Sequence, residues 1–125
     1  MLDIESFWKD ILEQNAEKLK GYFCENAYVN WHNTNEHFTV EEFIRANCEY
    51  PGEWAGEIER KEVIGDLIIT AVHVYSCRSD RALSFHVTSF IRVEDGKIAV
   101  IDEYWGDDGE PPQWRADKHI GTPIK

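Results

Sequence analysis

The chain has 125 residues, with 24 Asp and Glu against 13 Lys and Arg, which gives a formal net charge of −11 at pH 7. This length predicts one domain over residues 1–125 with a sizeable core. The negative charge argues against nucleic acids and anionic membranes as partners, and a hydrophobic content of 42% argues against disorder.

The start of the chain and its cysteines indicate a cytoplasmic protein. Residues 1–5 are acidic, whereas a signal peptide begins with basic residues and continues with an apolar run. No apolar run approaches the roughly 20 residues of a membrane helix. Cys24, Cys48 and Cys77 are odd in number and form no CxxC pair, so we expect reduced thiols.

The first predicted element is an amphipathic helix over residues 4–19. Its apolar residues recur at spacings of three and four, and Asp3 is a suitable N-cap. The segment Ala27–Asn33, which follows, has the composition of a strand.

A second helix has the clearest local signal. It should run from about residue 40 to residue 48, because Thr39 and Glu42 form a capping box. Phe38 and Phe43 occupy the positions of a hydrophobic staple around this N-terminus.

After Gly52 the apolar period changes to two, which predicts strands. Turn signals at residues 65–66 and 95–96 and a loop at residues 78–82 separate four of them, at Trp54–Ile64, Leu67–Cys77, Leu83–Val93 and Ile98–Trp105. Helices followed by hairpins predict an α+β protein whose helices cover one face of a curved antiparallel sheet.

The turn at residues 95–96 sets a register for the last hairpin. Counting outward from it places Thr88 opposite Glu103 and His86 opposite Trp105. The face that these residues share mixes aromatic and ionisable groups, which is typical of ligand pockets. A β-bulge would shift these pairs.

Three short motifs, at residues 22–32 (YFCENAYVNWH), 95–98 (DGKI) and 102–105 (DEYW), occur in an order of elements that resembles the SnoaL-like branch of the nuclear transport factor 2-like superfamily. The resemblance covers nearly the whole chain. It implies a cone-shaped sheet wrapped on the N-terminal helices, with a pocket at its open end. Members include polyketide cyclases, ketosteroid isomerases, limonene-epoxide hydrolases, dehydratases and non-catalytic binders, so the fold does not specify a function.

The resemblance implies pocket positions for Trp31, Asn33 and Glu103. Residues 31–33 are similar to the strand segment that offers a Tyr and an Asn to a catalytic water in limonene-epoxide hydrolases, and Glu103 is similar to the Asp base on the last strand of those enzymes. However, Trp31 has no hydroxyl, residues 67–77 contain neither Arg nor Asp, and the first helix lacks the Tyr of the ketosteroid isomerase oxyanion hole. These differences argue against epoxide hydrolysis and ketosteroid isomerisation by the mechanisms of those two families.

The candidate catalytic residues are Glu103, His86 and Asn33. A carboxylate on an aromatic face has a raised pKa, which suits a general base, although a structural ion pair is the alternative. His86 would exchange a proton with Glu103 or be a hydrogen-bonded core histidine.

The candidate ligand-binding residues are Trp31, Trp105, Trp54, Asn47, Tyr50 and His73. Asn47 and Tyr50 also suit the end of a helix. The sequence leaves open whether the His73 side chain points to the pocket or to the exterior.

We expect neither a metal nor a cofactor. His32, Glu36 and His37 lack the HExxH spacing, and neighbours on an extended segment point apart.

Two functional hypotheses remain. The first is a cofactor-free acid/base enzyme of isomerase, cyclase, dehydratase or hydrolase type that acts on an apolar or cyclic substrate. The second is a non-catalytic small-molecule binder or dimeric interaction module. In either case we expect a small-molecule ligand and a homodimer, which the family resemblance implies and which the apolar residues on both faces of strand 67–77 favour.

Overall fold

The computed structural model describes residues 2–77 and 83–125, so the loop predicted at residues 78–82 lies outside the described residues. Its elements in chain order are α1 (Ile4–Leu12), α2 (Ala16–Leu19), a 3-10 helix (Lys20–Tyr22), β1 (Phe23–Trp31), β2 (Glu36–Thr39), α3 (Val40–Cys48), β3 (Trp54–Ile64), β4 (Leu67–Ser76), β5 (Ser84–Glu94), β6 (Lys97–Asp107) and α4 (Gln113–Asp117).

The six strands form one open sheet in the order β2-β1-β6-β5-β4-β3. Neighbouring strands are antiparallel except β1 and β6, which run parallel. The predicted α+β fold is therefore confirmed, with a sheet that is mixed rather than purely antiparallel. The parallel pair joins strands far apart in sequence, which hairpin signals do not reveal.

The N-terminal helix is shorter than the sequence pattern predicts. It ends at Leu12, because Gln14 adopts a left-handed conformation with φ of 55°. The side chain of Asn15 then caps α2 by accepting a hydrogen bond from the backbone N–H of Lys18.

The prediction for α3 is confirmed at both ends. The hydroxyl oxygen of Thr39 accepts from the backbone N–H of Glu42 at 3.2 Å, and the Glu42 carboxylate accepts from the backbone N–H of Thr39 at 3.0 Å. Phe38 and Phe43, the two expected staple residues, are both buried.

Helices α1 and α3 pack on one face of the sheet, which we call the inner face. The indole N–H of Trp8 donates to Thr70 Oγ1 at 3.2 Å, which ties α1 to β4. The hydroxyl of Tyr22 donates to Asp10 at 2.6 Å, and its burial together with this bond raises the pKa of Tyr22 to about 12. Within the described residues no helix has both the length and the apolar character needed to cross a bilayer.

A β-bulge makes the predicted register of the last hairpin wrong. Arg92 pairs with Val100 while Val93 pairs with Ile98, so Ala99 is an extra residue in β6. Beyond the bulge every pair shifts by one position, and Glu103 lies opposite Ser89 rather than Thr88.

The shift separates His86 from Glu103. His86 pairs with Gly106, and Trp105 lies opposite Val87. Because Val87 is buried against the helices, its neighbour His86 points to the opposite, outer face of the sheet.

Candidate functional site

A cavity of about 500 Å³ lies between the inner face of the sheet and helices α1 and α3. Aromatic rings form one continuous wall, with centroid distances of 5.6, 5.8, 6.1 and 6.3 Å between successive members of the series Tyr50, Trp54, Phe85, Trp105 and Trp31. Aliphatic side chains complete the lining, namely Ile11, Leu12, Ala46 and Val74. The cavity is therefore predominantly apolar, as small-molecule sites are.

Hydrogen bonds between α1 and the end of α3 shape one side of the cavity. The amide of Asn47 donates to the backbone oxygen of Ile11 at 3.0 Å. The amide of Gln14 donates to the backbone oxygens of Asn47 and Tyr50 at 2.9 and 2.7 Å. Asn47 and Tyr50 thus line the cavity and also hold the two helices together. The position at the cavity and the position at a helix end, which the sequence offered as alternatives, both apply.

Few polar groups line the other side of the cavity. Asn33 Oδ1 accepts from the backbone N–H of Trp105 at 2.6 Å, and Thr34 and Asp107 lie in the same wall. Among residues 2–77 and 83–125, the lining includes Asp107 as an acid and no Lys, Arg or His. The net charge of −11 and the acid in this lining both disfavour a positive electrostatic potential in the cavity.

Glu103 lies directly behind the aromatic wall. Its side chain, in a residue only 3% exposed, accepts hydrogen bonds from Trp31 Nε1 at 3.0 Å, Ser89 Oγ at 2.6 Å and Trp105 Nε1 at 3.3 Å. Burial raises the pKa of this carboxyl, and the three hydrogen bonds oppose that effect.

The carboxyl acts on the cavity through its partners. Trp31 and Trp105 line the cavity, whereas Glu103 is absent from the lining. One buried acceptor therefore fixes the orientation of two rings in the wall.

Most of the predicted site residues lie at the cavity, whereas Glu103 lies behind its wall and the two histidines lie on the other face of the sheet. Trp31, Asn33, Trp54 and Trp105 are among the lining residues, together with Asn47 and Tyr50. His73 and His86 are cross-strand partners on the outer face, and neither lines the cavity. The expected proton exchange between His86 and Glu103 is excluded by the shifted register.

Sequence reasoning missed several lining residues, of which Asp107 and Phe85 matter most. Strand β6 continues to Asp107, so the alternation that brings Glu103 and Trp105 inward also brings Asp107 to the cavity. Extending the period of two by one step would have identified it. Phe85 follows by the same alternation from the buried Val87.

The residues weighed as metal ligands in the sequence are occupied by hydrogen bonds. His32 Nε2 contacts Asp102 Oδ1 at 2.7 Å, and His37 Nδ1 contacts Asn30 Oδ1 at 2.7 Å. Glu36 accepts from Thr34 at 2.7 Å.

No protein-family model and no curated protein matches the sequence. Solved structures do match. A candidate ketosteroid isomerase from Kribbella flavida DSM 17836 superposes with a TM-score of 0.78 at 20% identity, over 98% of this chain and 87% of its own. A protein of unknown function from Burkholderia xenovorans LB400, described as NTF-2 like, gives 0.74 at 18% identity, with 98% and 92% covered.

A third match is an LEH-like epoxide hydrolase from M. tuberculosis, with a TM-score of 0.69 at 13% identity over 82% of this chain and 79% of its own. These similarities confirm the fold that the sequence resemblance implied. The chain has the nuclear transport factor 2-like fold, with its cavity between the sheet and helices α1 and α3.

Proposed function

We propose that the cavity binds a flat, apolar small molecule of cyclic or polycyclic shape, either neutral or cationic. The observation that carries this proposal is the continuous wall of five aromatic rings in a space of about 500 Å³, to which the described part of the chain adds no basic side chain. Three of the four ring contacts in this wall are edge to face, and rigid rings present apolar surface to a ligand at a small entropic cost. The name of one structural neighbour, a candidate ketosteroid isomerase, refers to a polycyclic substrate of this class.

The binding test uses N-phenyl-1-naphthylamine, a neutral aromatic probe whose fluorescence rises in apolar surroundings. The variant is Ala46→Phe, which adds a ring at the α3 wall of the cavity, and the matched control is Ala116→Phe on the exposed face of α4. We expect Ala46→Phe to weaken probe binding by at least about 10-fold, because the ring occupies the ligand's space. Equal binding by a folded Ala46→Phe protein would contradict the proposal.

A cofactor-free acid/base enzyme is the second candidate function. Asp107 favours it, because this carboxylate lies in the cavity wall with Asn33, and a ligand would meet both groups. We infer that the Asp107 carboxylate takes a proton from the bound substrate or from an attacking water and returns it to the product, while Glu103 orients Trp31 and Trp105. Asp107→Asn should then abolish turnover of a ketosteroid or cyclic epoxide substrate and leave binding of the neutral probe intact. Turnover that survives this substitution would remove Asp107 from the reaction.

A homodimer through the outer face is expected. Tyr28, Phe90 and Tyr104 expose between 36% and 46% of their surface there, and the rings of Phe90 and Tyr104 are in contact. Burying this patch against a second copy removes apolar surface from water. Analytical ultracentrifugation should give twice the chain mass of 14.6 kDa, and Phe90→Glu should shift it to monomer, while Val63→Glu at an exposed site of β3 should not. A monomeric wild type would refute the dimer.

A further inference from the structure

A second cluster of ionisable side chains lies on the outer face, on the opposite side of the sheet from the cavity. It consists of Glu59, His73 and His86, which come from the adjacent strands β3, β4 and β5. One possible ligand atom of each lies within 4.8 Å of those of the other two. The imidazole rings of His73 and His86 are parallel within 5°, with their centroids 4.6 Å apart.

A β-bulge brings Glu59 into this cluster. Ile58 pairs with Val72 and Arg60 pairs with Ala71, so Glu59 is the extra residue of β3. Bulges redirect a side chain relative to the regular alternation. As a result Glu59 Oε1 lies 3.2 Å from Nε2 of His86.

Asp108 and Ser84 hold the two histidines in place. Asp108 Oδ1 lies 2.5 Å from Nδ1 of His86, so this nitrogen donates and Nε2 is left facing Glu59. The Ser84 hydroxyl donates to Asp108 Oδ2 and contacts Nε2 of His73 at 2.8 Å. His86 thus has the carboxylate partner that orients imidazoles toward zinc, whereas His73 donates from Nε2 to the Ser84 hydroxyl and offers Nδ1 as a ligand.

We propose that Glu59, His73 and His86 bind one zinc ion per chain, with water in the fourth position. Two imidazole nitrogens and one carboxylate oxygen are a ligand set of zinc, whereas magnesium and calcium prefer oxygen ligands throughout. Bonds of 2.0–2.1 Å in a tetrahedron place ligand atoms about 3.3 Å apart. The 3.2 Å between His86 Nε2 and Glu59 Oε1 already matches that spacing. Zinc binding also requires the His73 ring to turn out of its parallel stack on His86, because an imidazole nitrogen binds a metal in the plane of its own ring.

Lys125 forms an ion pair with the other oxygen of the Glu59 carboxylate. Its ammonium lies 3.1 Å from Glu59 Oε2, on an exposed side chain, and leaves Oε1 to the cluster. A cation at this distance opposes the approach of a divalent ion. Lys125→Gln should therefore tighten zinc binding, which a merely structural cluster would not produce.

The test is isothermal titration of chelator-treated protein with zinc sulfate, with magnesium sulfate as the comparison ion. We expect one zinc per chain and no binding of magnesium. Glu59→Gln, His73→Ala and His86→Ala should each weaken zinc binding by at least about 10-fold, because each removes a ligand. His37→Ala and His119→Ala are matched controls outside the cluster and should stay within about twofold of wild type.

Two further measurements keep the proposal falsifiable if a histidine variant fails to fold. Asp108→Asn leaves all three ligands in place and should weaken zinc binding about 10- to 100-fold, as loss of an orienting carboxylate does. Cobalt titration should give the intense visible bands of a four-coordinate ion, and Glu59→Gln should diminish them. The proposal is overturned if no one-to-one binding occurs, or if the control histidine variants lose as much affinity as the cluster variants. Binding of the aromatic probe in the cavity is independent of either result.

Discussion

Replacing Glu103 with alanine is expected to lower the free energy of unfolding by about 3 kcal/mol. The substitution leaves the N–H groups of Trp31 and Trp105 and the hydroxyl of Ser89 without their acceptor in a site closed to water. It also opens a void beneath the aromatic wall. Urea unfolding measures the loss, and both indoles should become free to turn, so affinity for the aromatic probe should fall as well.

Glu103→Gln separates the role of the hydrogen bonds from that of the charge. The amide has the shape of the carboxyl, its oxygen accepts from both indoles, and the Ser89 hydroxyl is able to accept from its NH₂ group. We expect this variant to remain within about 1 kcal/mol of wild type at neutral pH. Glu110→Gln, at an exposed position, is the matched control. A Gln variant as unstable as the Ala variant would contradict this interpretation.

Because the pKa of Glu103 is raised, the difference in stability between Glu103→Gln and wild type should depend on pH. Burial favours the protonated carboxyl, so its stabilising contribution is fully present below the ordinary value of 4.5 and is lost as the pH rises through the raised pKa. Glutamine carries no such proton. The stability of Glu103→Gln relative to wild type should therefore increase as the pH rises above the ordinary glutamate pKa of 4.5. A difference that stays constant as the pH rises would show that the carboxyl does not titrate abnormally.

Local signals in the sequence were sufficient for most of the elements. The predicted bounds of β3 are those observed, and the capping box at Thr39 begins α3 as expected. Asn15 shows the same kind of signal, which the long apolar stripe of the first helix obscured. Caps and turns depend on residues within four positions of each other, so their chemistry is readable from the chain alone.

The facing of the candidate site was harder to predict, because it depends on a single extra residue. Residues 98–101 of β6 are all apolar, so no polar side chain marks which of them faces the helices. The bulge at Ala99 left Glu103 and Trp105 together on the inner face but exchanged their partners on β5. Ser89 therefore lies opposite Glu103 on the inner face, and His86 lies on the outer face in a different cluster. Pairing across the hairpin, rather than alternation along one strand, was the unreliable step.

Gly56→Ala is the second substitution with a large expected effect, about 3 kcal/mol of lost stability. Gly56 lies opposite Val74 in the β3–β4 pair. A Cβ at this position would lie 2.3 Å from the backbone oxygen of His73 and 3.3 Å from the Val74 Cα. These are main-chain atoms, so no side-chain rotation relieves the clash, and β3 has to move away from β4.

The matched control is Gly109→Ala, where an added Cβ meets no atom within 4 Å and the backbone needs no left-handed conformation. Its stability should stay within about 0.5 kcal/mol of wild type. Displacement of β3 by Gly56→Ala should also move Trp54 from the cavity wall and Glu59 from the two histidines, since both lie on that strand within three residues of Gly56. Weaker binding of the aromatic probe and of zinc should therefore accompany the lost stability. An alanine variant that melts with the wild type would show that the strand pair absorbs the added methyl group, and that the close approach of β3 to β4 does not set the geometry of either site.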